Sequence, residues 1–225
     1  MITDGPRPPS LHKLPVMTTT PAPLPGRSLA IPASFALIAA PALWLIGWIV
    51  MRVKGHEGPG AAWTGAHAIW VFAVLLFGAA IVVLHRTVKA ETIGVKAIAV
   101  TGLILGLLGA ASLLGQLCLD LYVGLEASTR ESASALYDKV FDTPGVELVF
   151  FQIGPSMLFA GFLILPIVAA ARRAVPPAAA VLVGSGIALM VAGRGFDGVL
   201  RLTEGLGMLV MLAGLVIVVR AGAKR

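Results

Sequence analysis

The sequence predicts an all-α, polytopic transmembrane helical bundle of six membrane-spanning helices, with both termini cytoplasmic. Three observations predict it. Of 225 residues, 58% are hydrophobic and only 12% charged, about half the charge with which a soluble domain covers its surface. Six apolar runs follow one another, at about 29–51, 62–84, 95–124, 146–171, 177–193 and 197–219. Roughly 20 apolar residues are enough for a helix to cross a bilayer core of about 30 Å. The basic residues gather at the ends of these runs, where topology signals lie.

Residues 1–28 precede the first run. They are polar and Pro-rich ("PRPPS", "PAPLPG"), a composition that buries too little apolar surface to offset the entropy of ordering. They are expected to form a disordered cytoplasmic tail, with Met17 as an alternative start. The first run extends from Leu29 to Met51. That exceeds the roughly 7–15 apolar residues of a signal peptide, so a retained helix is expected.

Orientation follows from the lysines and arginines. With the N-terminus inside, eleven lie on the inner side: Arg7, Lys13, Arg27, Arg86, Lys89, Lys96, Arg172, Arg173, Arg220, Lys224 and Arg225. The outer side holds six: Arg52, Lys54, Arg130, Lys139, Arg194 and Arg201. The positive-inside rule therefore places both termini in the cytoplasm, residues 221–225 forming a short basic tail. The net charge of +6 is thus accounted for without nucleic acid, since no Lys/Arg run is interleaved with aromatics.

The longest connection, 125–145, contains "STRE". Ser128 and Glu131 have the spacing of a capping box, with Ser128 as N-cap. Leu136, Tyr137, Val140 and Phe141 then share one side of a helix. A short amphipathic helix over about 129–141 is expected at the outer membrane surface.

The candidate site comes from "RGFDGVLRLTEG", residues 194–205. A last helix beginning after Gly205 would be roughly 21 Å long, whereas one beginning at Asp197 would be roughly 34 Å. The longer helix spans the core, so Asp197, Arg201 and Glu204 are expected on one narrow face of its first two turns, with Met208 and Met211 continuing that face. In the third run, "SLLGQLCLDLYVG" sets Ser112, Gln116 and Asp120 four residues apart. Both stripes end at the same outer side. Intramembrane charges usually face the bundle interior or a wet cavity. The expected ligand-binding set is therefore Asp120, Gln116, Arg194, Asp197, Arg201 and Glu204, with Asp120 paired to Arg194 or Arg201. The competing reading is a structural ion-pair lock.

Other chemistry is poorly represented. The single cysteine, Cys118, excludes an intramolecular disulfide and a Cys-rich zinc site. His67 and His85 stand eighteen residues apart in one run, too far to share an ion, and His67, between Trp63 and Trp70, is expected at headgroup level. Phosphate-loop, HExxH and GxSxG signatures are missing. No cofactor, no metal and no catalytic residue are expected. Gly102, Gly106 and Gly109 let another helix approach closely.

The Ala/Gly/Leu/Val-rich spans, "LCLDLYVG" in the third and the "RRAVPP" hairpin after the fourth resemble small polytopic membrane proteins common in high-GC bacteria. The resemblance covers the six spans and implies no activity. The expected protein is a small transporter or accessory membrane subunit of the bacterial cytoplasmic membrane. Its expected partners are the lipid bilayer, a small polar or amphiphilic ligand and a membrane partner subunit. A structural scaffold subunit, and a membrane enzyme acting on a lipid or quinone-like substrate, are the alternatives.

Overall fold

A computed structural model describes residues 31–55, 58–194 and 201–223. Among them the chain forms helices α1 (Ile31–Val53), α2 (Ala61–Thr87), α3 (Ile93–Glu126), α4 (Arg130–Phe141), a π-helical segment (Glu147–Ile153), α5 (Gly154–Ala171), α6 (Pro177–Arg194) and α7 (Leu202–Ala223). The π segment runs directly into α5, and six spans are long and apolar enough to cross a membrane. Their outward faces carry large apolar side chains such as Phe72, Leu75, Ile104 and Val181, as a lipid-facing surface requires.

The spans form a closed ring. α1 packs on α2, α2 on α3, α3 on α5, α5 on α6, α6 on α7, and α7 returns to α1. Glycines set the closest approaches. A Cβ on Gly109 would collide with the Leu158 backbone, and one on Gly161 would stand 2.6 Å from Gly106 Cα, so α3 and α5 touch backbone to backbone. Gly186 and Gly207 do the same for α6 and α7.

The centre of the ring is filled. Phe77 of α2 meets Phe162 of α5 edge to face at 5.3 Å, and Trp44 of α1 packs on Phe77 at 6.0 Å. Met190, Met208 and Met211 complete the core. The space left at the centre is about 10 Å³, at the lower limit for one water molecule.

Helix ends follow local chemistry. Thr92 caps α3 by accepting from Val95 N. α5 ends in a Schellman turn: Ala174 N–H donates to Ala169 O, Arg173 N–H to Ala170 O, and Arg173 takes the left-handed position (φ 53°) that glycine usually fills. At the same end Arg172 pairs with Glu91, which tethers the α5–α6 hairpin to the start of α3. α4 is capped one residue later than the sequence suggested. Thr129, not Ser128, is the N-cap, and Ser132 closes the capping box. Thr129 supplies the extended N-cap backbone, and Ser132 reaches back to its N–H more directly than Glu131.

α7 also departs from expectation. It begins at Leu202 and gains its length at the other end, running past Arg220 to Ala223. Arg220 can reach headgroups from inside a helix end, so the span extends there. Arg201 therefore lies immediately before the helix and Glu204 in its first turn. Asp197 lies outside the described residues.

Candidate functional site

Two buried acidic groups lie at one end of the ring, on opposite sides of it. Asp120 is on α3, which packs between α2 and α5; Glu204 is on α7, which packs between α1 and α6. The single pocket expected to join Asp120 to Arg194 or Arg201 is therefore two clusters. The helices carrying the two stripes are not principal neighbours, and Arg194, which meets Glu204, lies across the ring from Asp120.

Asp120 is 6% exposed. Tyr137 of α4 donates its hydroxyl to Asp120 Oδ1 at 2.6 Å, and His67 Nε2 of α2 stands 3.7 Å from Oδ2. α4 is short and polar on its outer side. Its apolar residues Ala133, Leu136 and Tyr137 pack against Val123 of α3, and this brings the hydroxyl over the carboxyl. His67 is fixed from three sides. Its Nδ1 lies 2.8 Å from Trp63 O, its ring stacks on Trp63 at 4.5 Å, and it meets Trp70 edge-on at 5.0 Å. Trp63 in turn donates its indole N–H to Asp120 O at 3.2 Å and fits because Gly124 has no side chain there.

A carbonyl only accepts, so the geometry assigns the Nδ1 proton to the bond with Trp63 O. Nε2 then faces Oδ2. At 3.7 Å the two atoms stand just beyond hydrogen-bond distance. Outside the spans, the Tyr137 phenol is pushed well above its ordinary range by burial, by the charge of Asp120 and by its bond to it. It stays a donor across all ordinary pH. Gln116 lies one turn from Asp120 on α3, and its Oε1 is buried without a hydrogen-bond partner among the described residues. Buried acceptors of this kind are normally satisfied by something.

Glu204 is 7% exposed. Trp48 donates its indole N–H to Glu204 Oε2 at 2.9 Å, Arg52 approaches the same oxygen at 3.3 Å, and Arg194 reaches Oε1 at 3.7 Å. Trp48 packs over Gly205, where a Cβ would be 2.9 Å from its ring. The cluster ties α1, α6 and α7 together. Of the expected residues, Arg194 and Glu204 thus meet each other, while Asp120 and Gln116 meet elsewhere.

Sequence reasoning left His67, Tyr137, Trp48 and Arg52 out of the site. His67, in the second turn of α2, is 4% exposed and enclosed within the bundle. The signal for it was present: tryptophans four residues before and three after it share its face, and here they enclose it. Among the described residues no three of His, Cys, Asp and Glu are grouped as metal ligands; His56 and Glu57 lie outside them. No known protein family, curated protein or solved structure matches the chain.

Proposed function

We propose that the protein is a small transporter or accessory membrane subunit that captures a small polar or amphiphilic ligand at the His67–Asp120–Tyr137 cluster. In this reading the cluster faces outward and both termini lie in the cytoplasm of a bacterial cell. One observation carries the reading. A carboxyl buried in a spanning helix stands 3.7 Å from a ring nitrogen of a buried histidine and is covered by a helix that is not itself a span. Ionisable groups inside membrane helices mark ligand and proton paths by default. The orphaned Gln116 Oε1 supplies an acceptor beside it for a ligand donor or water. Asp120 and His67 would hold the proton and the ligand's polar group, Gln116 would orient it, and α4 would act as the lid. On this reading the packed centre would correspond to a closed state.

A second reading, a structural subunit held by two polar locks, is favoured by that same filled centre. Thiol labelling separates them. Cys118→Ala with Gln116→Cys leaves one thiol beside Asp120, to be treated in intact cells with a membrane-impermeant maleimide, with denatured protein as control. Labelling from outside supports ligand capture. Labelling only after denaturation supports the dry lock. Labelling only after permeabilisation inverts the topology.

A further inference from the structure

Beside the Tyr137 contact, Leu136, Lys139 and Val140 of α4 face a different space. There α4 overhangs α3 and the π segment and leaves an open cavity of about 540 Å³, within the roughly 300–1,000 Å³ typical of ligand pockets. We propose that this groove is a binding site for one acyl chain of a glycerophospholipid, whose phosphodiester is held by Lys139. The inference is independent of the reading given to the Asp120 cluster.

The walls are apolar and belong to rigid parts. Gly115 and Leu119 of α3 form the floor, Phe150 of the π segment one side, and Leu136 and Val140 of α4 the roof. Gly115 makes the floor concave, because any Cβ there would run into the Phe150 ring. The π segment is pinned by Ser112, whose hydroxyl donates to Val149 O at 2.7 Å. The groove thus lies at the α3–π–α4 junction, with the Phe150 ring against Gly115.

Its polarity is graded. The end among Gly115, Leu119 and Phe150 lies within the apolar length of α3. The other end lies at α4, the most charged helix of the molecule, where Lys139 lines the rim. Lys139 is exposed and forms no ion pair among the described residues. An apolar slot opening onto one ammonium without an ion pair, at the edge of a span, matches an amphiphile with an acyl chain and an anionic head. Lys is a compact point charge suited to a phosphate oxygen. Asp138 and Asp142 flank Lys139 in sequence and disfavour a multiply charged head, which selects a singly charged phosphodiester.

The test uses the full chain in nanodiscs of phosphatidylethanolamine and phosphatidylglycerol, doped with phosphatidylethanolamine bearing a diazirine on its acyl chain. After irradiation, cross-links are mapped by peptide mass spectrometry. The expected result is labelling concentrated around Leu119, Leu136 and Phe150, above that at the exposed lipid-facing Val181. Lys139→Glu should lower it about five-fold, the factor expected from one lysine near a membrane surface, and Lys139→Arg should preserve it. Leu119→Trp, which fills the groove, should abolish it. Equal labelling at Val181, unmoved by these variants, would mean annular lipid only and overturns the proposal. A second readout needs no variant. Cys118 is the only cysteine, is exposed and lines the groove. In delipidated protein, added phospholipid should slow its alkylation by N-ethylmaleimide and diacylglycerol should not. Equal protection by diacylglycerol overturns the phosphate contact. Either failure leaves the Gln116→Cys result, and the reading it tests, untouched.

Discussion

Tyr137 and Asp120 are joined by a hydrogen bond of 2.6 Å between a helix outside the spans and the interior of one. It is a polar tie between α4 and the bundle end. Removing the hydroxyl leaves the Asp120 carboxyl buried with only His67 and Gln116 near it. Tyr137→Phe keeps the ring packing on Phe141 and Phe151 and isolates the bond. The expected cost is about 1–3 kcal/mol, read as a lower melting temperature in detergent. Hydrogen exchange should rise in α4 and stay unchanged in α6. Unchanged exchange in α4 would mean that apolar packing alone holds the helix.

The same bond predicts a pH window. The folded-state pKa of Tyr137 is raised above the ordinary tyrosine value of 10.0. Its contribution to stability is therefore complete below about pH 10 and is lost as pH rises toward the folded value. The chain has two tyrosines, so Tyr122→Phe leaves Tyr137 as the only phenol. Its tyrosinate absorbance should be absent at a pH where a model tyrosine is half ionised, and should appear together with unfolding. A normal titration curve in folded protein would contradict the buried bond.

Glu204 is the shared acceptor of Trp48, Arg52 and Arg194. Glu204→Gln keeps an oxygen for the Trp48 indole but removes the charge that both guanidiniums face. Glu204→Ala removes both. The expected order of melting temperatures is wild type, then Gln, then Ala, the last lower by about 1–3 kcal/mol in stability for a buried donor left unpaired. The guanidiniums are partly exposed and screened, so the Gln step should be the smaller one. The reverse order would show that the charge matters more than the Trp48 bond.

Close helix contact is tested by glycine pairs. A Cβ on Gly109 would collide with the Leu158 backbone, whereas one on Gly78 would meet only Ala110 Cβ at 3.9 Å. Gly109→Ala should separate α3 from α5 and destabilise by more than about 1 kcal/mol, while Gly78→Ala should stay within about 0.5 kcal/mol. Thermal unfolding of the two variants side by side is the check.

The spans could be read from the sequence because hydropathy is a property of each segment alone, and Met208 and Met211 were placed on their buried face by the 3.6-residue period. The partners of Asp120 could not. They depend on which helices become neighbours, and the ring order sets α3 against α2 rather than α7. Trp63 and Trp70 carried two compatible meanings, an interfacial belt and an aromatic enclosure for His67, and only packing separates them. The π segment has no hydropathy signature of its own. Its place is fixed by Ser112 and by the close approach of Gly154 to it, both non-local.

The meeting of Gly186 and Gly207 bears on how the chain enters the bilayer. α6 is the least apolar span, with a hydropathy of 1.5 against 2.0–2.5 for the others, and one of the shortest at 18 residues. By itself it gains least from lipid. Its glycine face lies backbone to backbone against α7, so the two form a ready-made helical hairpin. Entry of α6 into the bilayer is then expected to depend on its partner, so that Gly207→Leu in α7 should lower the inserted fraction of α6.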